Sequence, residues 1–105
     1  MASVSVIIVS YNTCHLLQSC LQNLLNHNEA TEIIVVDNAS NDGSGELVQK
    51  QFPAVKLIAL STNRGLTVAS NLGLAAAKGD FVLYLGSDAY PKAGVIAGMA
   101  AYLEQ

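Results

Sequence analysis

The chain has 105 residues, enough for one compact domain and too few for a second. Only 12% of them are charged, against about 25% in an average soluble domain, while 51% are hydrophobic and the mean hydropathy is +0.38. The five basic residues, Lys50, Lys56, Arg64, Lys78 and Lys92, are scattered over a chain of net charge −3, which argues against nucleic acid as a partner.

So small a supply of polar surface implies that part of the domain is covered, by more of the same polypeptide or by a partner subunit. Self-association through uncovered apolar helices is one expected form of that cover. No basic segment followed by an apolar run opens the chain, and no stretch of about 20 apolar residues is present, so neither a signal peptide nor a transmembrane segment is expected. The expected location is cytoplasmic, at most peripheral to a membrane. Cys14 and Cys20 fall on different faces of one predicted helix, and His15 and His27 have no acidic or Cys companion at ligand spacing, so no metal cluster is expected among them.

In chain order, the run VSVIIVS at 4–10 is apolar and β-branched beyond simple alternation, as suits a strand covered on both faces. Leu16, Leu17, Cys20, Leu21, Leu24 and Leu25 then recur at helical spacing and predict an amphipathic helix from Thr13 to Asn26–Asn28. A second strand is predicted at 32–37, followed by the turn-rich NASNDGSG and a short helix reaching Phe52, which Pro53 closes. VKLIAL at 55–60 is the third strand, and STNRG opens a third helix over 66–78. Gly79 is assigned to a helix end that needs positive φ. DFVLYL at 80–85 is the fourth strand, and a last helix, apolar or small on nearly every side, is predicted from Pro91 to Leu103.

Strands alternating with helices predict a Rossmann-like α/β fold, a three-layer sandwich around a parallel sheet with right-handed crossovers. In such sheets ligands bind beyond the carboxyl ends of the strands. The polar residues collect there: Ser10, Tyr11 and Asn12 after the first strand, Asp37 and Asn38 after the second, Asn63 and Arg64 after the third, Ser87 and Asp88 after the fourth. With strand order 3-2-1-4, the Asp37 and Asp88 loops flank the Tyr11 loop, and two carboxylates on one mouth point to a polar ligand or a metal ion.

VSVIIVSYN, EIIVVDNASNDGS, NRG and ASNLGLAAAKGDFVLYLGSD, in that order, resemble the nucleotide-binding half of family 2 glycosyltransferases, which have the GT-A fold. The resemblance runs from Val4 to Met99. It implies a nucleoside-diphosphate-sugar donor, UDP- or dTDP-linked, a divalent cation, Mg²⁺ or Mn²⁺, and transfer with inversion to an acceptor that is a glycan, a lipid or a protein. Carried over by position, Tyr11 would lie against the base, Asp37 would accept its N3–H, and Asp88 would be the metal-side carboxylate. Ser10, Asn12, Asn38, Asp42, Asn63, Arg64 and Ser87 complete the expected donor site.

Two departures qualify what the resemblance implies. Gly86 stands where the family often has a second acidic or amide residue, so cation affinity without donor is expected to be weak. In this family the acceptor site and the catalytic base follow the metal motif, and only 17 residues follow Asp88. The 105 residues are therefore expected to be the donor half of a truncated domain, binding donor without transferring sugar.

Other readings stand beside these. Asp37 also suits the start of a turn, Asp42 an N-cap or turn ahead of GSGELV, and Tyr11 an aromatic packed under the first helix. Arg64 suits a diphosphate and a solvated loop equally. NASNDGSGELVQ approaches an EF-hand loop but has one carboxylate, with Gln where the bidentate Glu belongs. Neither G-x-G-x-x-G nor a P-loop Lys is present, which argues against dehydrogenase and NTPase readings. The rival class is a nucleotide-binding or assembly module without chemistry.

Overall fold

The computed structural model describes residues 3–89 and 91–103. Its elements are β1 (Val4–Ser10), α1 (Cys14–His27), β2 (Glu32–Asp37), α2 (Ser44–Gln51), β3 (Lys56–Ala59), α3 (Gly65–Ala76), β4 (Phe81–Gly86) and α4 (Val95–Leu103). All four strands are parallel, in the order β3-β2-β1-β4. The Rossmann-like sandwich and strand order expected from the sequence are the ones observed.

The β-branched runs form the centre of the sheet. Val6, Ile7, Ile8, Ile34, Val35 and Val36 are wholly buried, and burying each such side chain contributes about 1.5–3 kcal/mol. Because successive side chains alternate, Val4, Val6, Ile8, Ile33 and Val35 pack with α1, α2 and α4 in the larger core. Ile7, Ile34 and Val36 meet Ala69 of α3 in the smaller one.

Handedness explains why α3 stands alone on its face. From β1 to β2 to β3 the chain steps one way across the sheet, whereas from β3 to β4 it steps back, so a right-handed crossover puts the connecting helix on the opposite side. That helix comes in close: a Cβ on buried Gly73 would lie 2.6 Å from Ile7 Cγ2 and 3.3 Å from Val36 Cγ2. The outer flank of the sheet is open, with Tyr84 on β4 and Met99, Tyr102 and Leu103 on α4 all exposed. No helix among the described residues is long and apolar enough to cross a membrane.

Two local expectations are corrected. The last helix begins at Val95 rather than Pro91: the Val95 N–H closes a turn on the Lys92 carbonyl at 3.1 Å, with Gly94 at φ 87°. Its start is set from a distance by Glu29, which accepts the Gly94 N–H at 2.5 Å and the Ala97 N–H at 2.9 Å. Those bonds hold the Glu29 carboxyl below its ordinary range, and the carboxylate answers both the free donors and the positive end of the helix.

Gly79 is needed for close approach and not for φ. The helix before it ends at Ala76, with extended Ala77 as its cap. A Cβ on Gly79 would meet Ser5 Oγ at 2.6 Å and Ser5 N at 2.7 Å.

Candidate functional site

Parallel pairing sets the site's frame, because Ser10 lies opposite Asp37 and Val9 opposite Gly86. The loops after β2 and β4 therefore leave the sheet on either side of the loop after β1. On the β2 side, Asp37 is buried, and its two oxygens are held by one residue: Ser40 Oγ donates to Oδ1 at 2.5 Å and the Ser40 N–H to Oδ2 at 3.2 Å. A carboxylate has about four lone-pair sites, so Asp37 keeps capacity for a ligand donor. It opens on a groove between α2 and β3 that Ser40, Gly45, Glu46, Gln49 and Leu57 also line.

The loops after β1 and β2 are cross-linked. The Asn12 N–H donates to Ser40 Oγ at 2.8 Å, and Asn12 Oδ1 accepts the Asn41 N–H at 2.9 Å. Asn12 sits at φ 51°, a conformation that Asn tolerates better than most side chains. Asp42 spans the same gap, accepting the Cys14 N–H at 3.0 Å through Oδ2 and the Ser44 hydroxyl and N–H through Oδ1. The bonds to Ser44, first, and to Cys14 lower the Asp42 pKa.

Asn38, Asn63 and Arg64 form a second group. Buried Asn38 accepts the Arg64 N–H at 2.8 Å and donates to the Gly65 carbonyl at 3.2 Å, while Asn63 Oδ1 accepts the Gly65 N–H at 2.9 Å. These amides hold the loop after β3 in place, and the Arg64 side chain is exposed.

On the β4 side a line of hydroxyls crosses between loops, from Ser10 Oγ to Thr13 Oγ1 at 3.0 Å and on to Ser87 Oγ at 2.9 Å. Asp88 is exposed beyond it, its Oδ1 only 2.8 Å from where a Cβ on Gly86 would lie. Beneath, burial first and the Asp88 charge second push the Cys20 thiol up to about 11, so it stays protonated.

The expected residues thus divide by what their side chains do. Asn12, Asn38 and Asp42 bond to other loops and Asn63 to its own, while Tyr11, Arg64 and Asp88 face solvent and Asp37 faces its groove. Ser40 and Thr13 were not singled out from the sequence. The serine three residues after Asp37, where an Asx-type turn places a partner, was a signal for the first. Nothing local marked Thr13.

Among the described residues, no three His, Cys, Asp or Glu side chains come together as a metal cage. A single exposed carboxylate next to an open mouth fits the other binding mode of Mg²⁺-like ions, which keep waters and take one or two carboxylates with substrate phosphates.

The Glycosyl transferase family 2 model matches residues 5–105. The chain belongs to glycosyl transferase family 2. An uncharacterized glycosyltransferase of Haemophilus influenzae is 36% identical over 92 residues, covering 84% of this chain and 37% of that protein. Glycosyltransferase GlyG of Streptococcus pneumoniae is 32% identical over 97 residues, covering 89% of this chain and 32% of its own. This family 2 chain therefore spans about a third of the length of those curated relatives.

Solved structures agree. S. aureus TarS 1–349 in complex with UDP-GlcNAc has a TM-score of 0.85 at 30% identity, over 97% of this chain and 31% of that one. The mannosyltransferase PcManGT of Pyrobaculum calidifontis, in complex with GDP-Man and Mn²⁺, has a TM-score of 0.86 at 28% identity, over 99% and 33%. The architecture is the GT-A fold of family 2 glycosyltransferases.

Proposed function

We propose that these residues are the donor-binding half of a glycosyltransferase, taking a UDP- or dTDP-linked sugar for transfer with inversion. The observation that carries this reading is the Asp37 carboxylate, buried at the end of β2 and fixed by Ser40 on both oxygens. A pyrimidine N3–H is a donor that such a carboxylate accepts well, and exposed Tyr11 on the adjacent loop offers a ring for the base to lie against. Two solved structures similar to this chain hold a nucleotide-sugar, one of them with Mn²⁺, which supports donor binding.

The diphosphate would lie toward the β4 loop, where Asp88 would hold Mg²⁺ or Mn²⁺; Arg64, exposed on the loop after β3, would lie on the nucleoside side of the site, beyond Asp37. A bound divalent cation supplies stabilisation of the charge that grows on the leaving diphosphate. Asp88 would hold that cation, and Asp37 would fix the nucleoside end. Calorimetric titration with UDP-GlcNAc and a dTDP-sugar in the presence of Mn²⁺ tests the reading. Binding is expected, weakened about 10-fold to 150-fold by Asp37→Ala, the range for a lost charge-assisted hydrogen bond. Equal affinity in the variant, or no binding to the intact chain, refutes it.

A further inference from the structure

Thr13 is the N-cap of α1, at φ −126° and ψ 45°, yet its side chain makes no capping hydrogen bond. A Thr in that position ordinarily turns its hydroxyl to the helix N–H groups and stabilises the helix. Here Asp42 reaches the Cys14 N–H from the neighbouring loop instead, at 3.0 Å. The Thr13 hydroxyl is turned the other way, 3.0 Å from Ser10 Oγ and 2.9 Å from Ser87 Oγ, a residue 74 positions along the chain. Ser10 is 1% exposed and anchored in the sheet. Each hydroxyl has one proton and two acceptor sites, so the three can hydrogen-bond in line.

We infer that Thr13 is a positioning residue whose hydroxyl sets the Ser87–Asp88 loop against the end of β1, and that cation-assisted nucleotide binding depends on it. The inference rests on the donor-site reading above. The nucleoside end of a donor would be fixed on one side of β1, by Asp37, and its diphosphate on the other, by Asp88. A cation bridging to the diphosphate is then bound well only if the gap between those two loops is held. Asp88 is exposed and its neighbour Ser87 is the residue that Thr13 grips. Partners that orient a metal-binding residue typically carry about 10-fold to 100-fold in metal affinity.

The test is titration calorimetry of the chain with UDP and with GDP, each with and without Mn²⁺. Mn²⁺ should tighten nucleotide binding to the unmodified chain, and Thr13→Val, which keeps the volume and loses the hydroxyl, should reduce that tightening by about 10-fold. Metal-free binding should be unchanged in Thr13→Val, and Thr13→Ser should restore the Mn²⁺ effect. A purely structural role would lower both affinities together. Should Thr13→Val fail to fold, Ser87→Ala cuts the same bond from the other end and should also reduce the Mn²⁺ effect. Tightening that survives both substitutions overturns this inference and leaves the donor-site reading standing; tightening absent from an unmodified chain that binds nucleotide overturns this inference and the cation role of Asp88, leaving the nucleoside site at Asp37. No binding of either nucleotide to the unmodified chain overturns both.

Discussion

Glu32 opens β2 at the end of the sheet away from the ligand mouth, and replacing it by Gln should cost stability in a pH-dependent way. Its Oε1 accepts Lys56 Nζ at 2.8 Å, while Oε2 accepts Ser5 Oγ and the Lys78 N–H, each at 2.5 Å. The Lys56 bond first, then the Ser5 bond, with the Lys78 N–H adding, lowers its pKa from 4.5 to about 2. A shift of that size corresponds to about 3 kcal/mol. The Lys56 side chain is 47% exposed, so solvent screens its share, and about 1–2 kcal/mol is the figure to test. In Glu32→Gln the amide NH₂ must face either the ammonium or the Ser5 and Lys78 donors, so donor meets donor in both orientations.

The sign follows from the direction of the shift. A lowered folded pKa gives stabilisation that is complete above the unfolded value of 4.5 and disappears as pH falls through about 2. Urea unfolding of both proteins from neutral pH downward should show a midpoint gap that is widest at neutral pH and closes across that window. A gap of constant size down to the acid end, or none at neutral pH, would refute the reasoning.

Gly73→Ala should destabilise the fold by about 1–3 kcal/mol, since its methyl would meet two β-branched side chains in the small core; thermal unfolding measures it. Asn38→Ala should speed amide exchange at Arg64 and weaken nucleotide binding, because it releases the loop after β3 that carries the Arg64 guanidinium. Asp88→Asn should remove the effect of Mn²⁺ on nucleotide affinity while leaving free nucleoside binding nearly intact, as read by calorimetry in parallel with and without the metal.

The strands were legible because Ile7, Ile8, Ile34 and Val35 sit in runs with no polar break, as strands buried on both faces do. The acidic strand ends were legible for the same reason, since a charge that closes or soon follows such a run has to lie at the strand's carboxyl end. What could not be read were contacts made across the sequence. Pro91 has the chemistry of a helix start, but Glu29 caps the backbone at Gly94 and Ala97, and no local pattern links residues 65 and 68 positions apart. Gly79 carries the usual mark of a helix end, while its real constraint is Ser5 on another strand. Asn12 and Asn38 stand at the mouth as expected, and what the sequence did not show is that their amides also bond to neighbouring loops. Thr13 has the composition of a helix cap, and only the fold shows where its hydroxyl goes.

The bonds from Asn12 to the 40–41 segment and from Asp42 to Cys14 have a consequence for re-engineering this domain. Neither segment is an independent cassette. Transplanting residues 38–43 alone from a relative that lacks Asp42 and Ser40 would remove the bond to the Cys14 N–H and the partners of Asn12, so the exchange has to be made in pairs. A library that varies both segments together should yield folded variants far more often than one that varies either by itself.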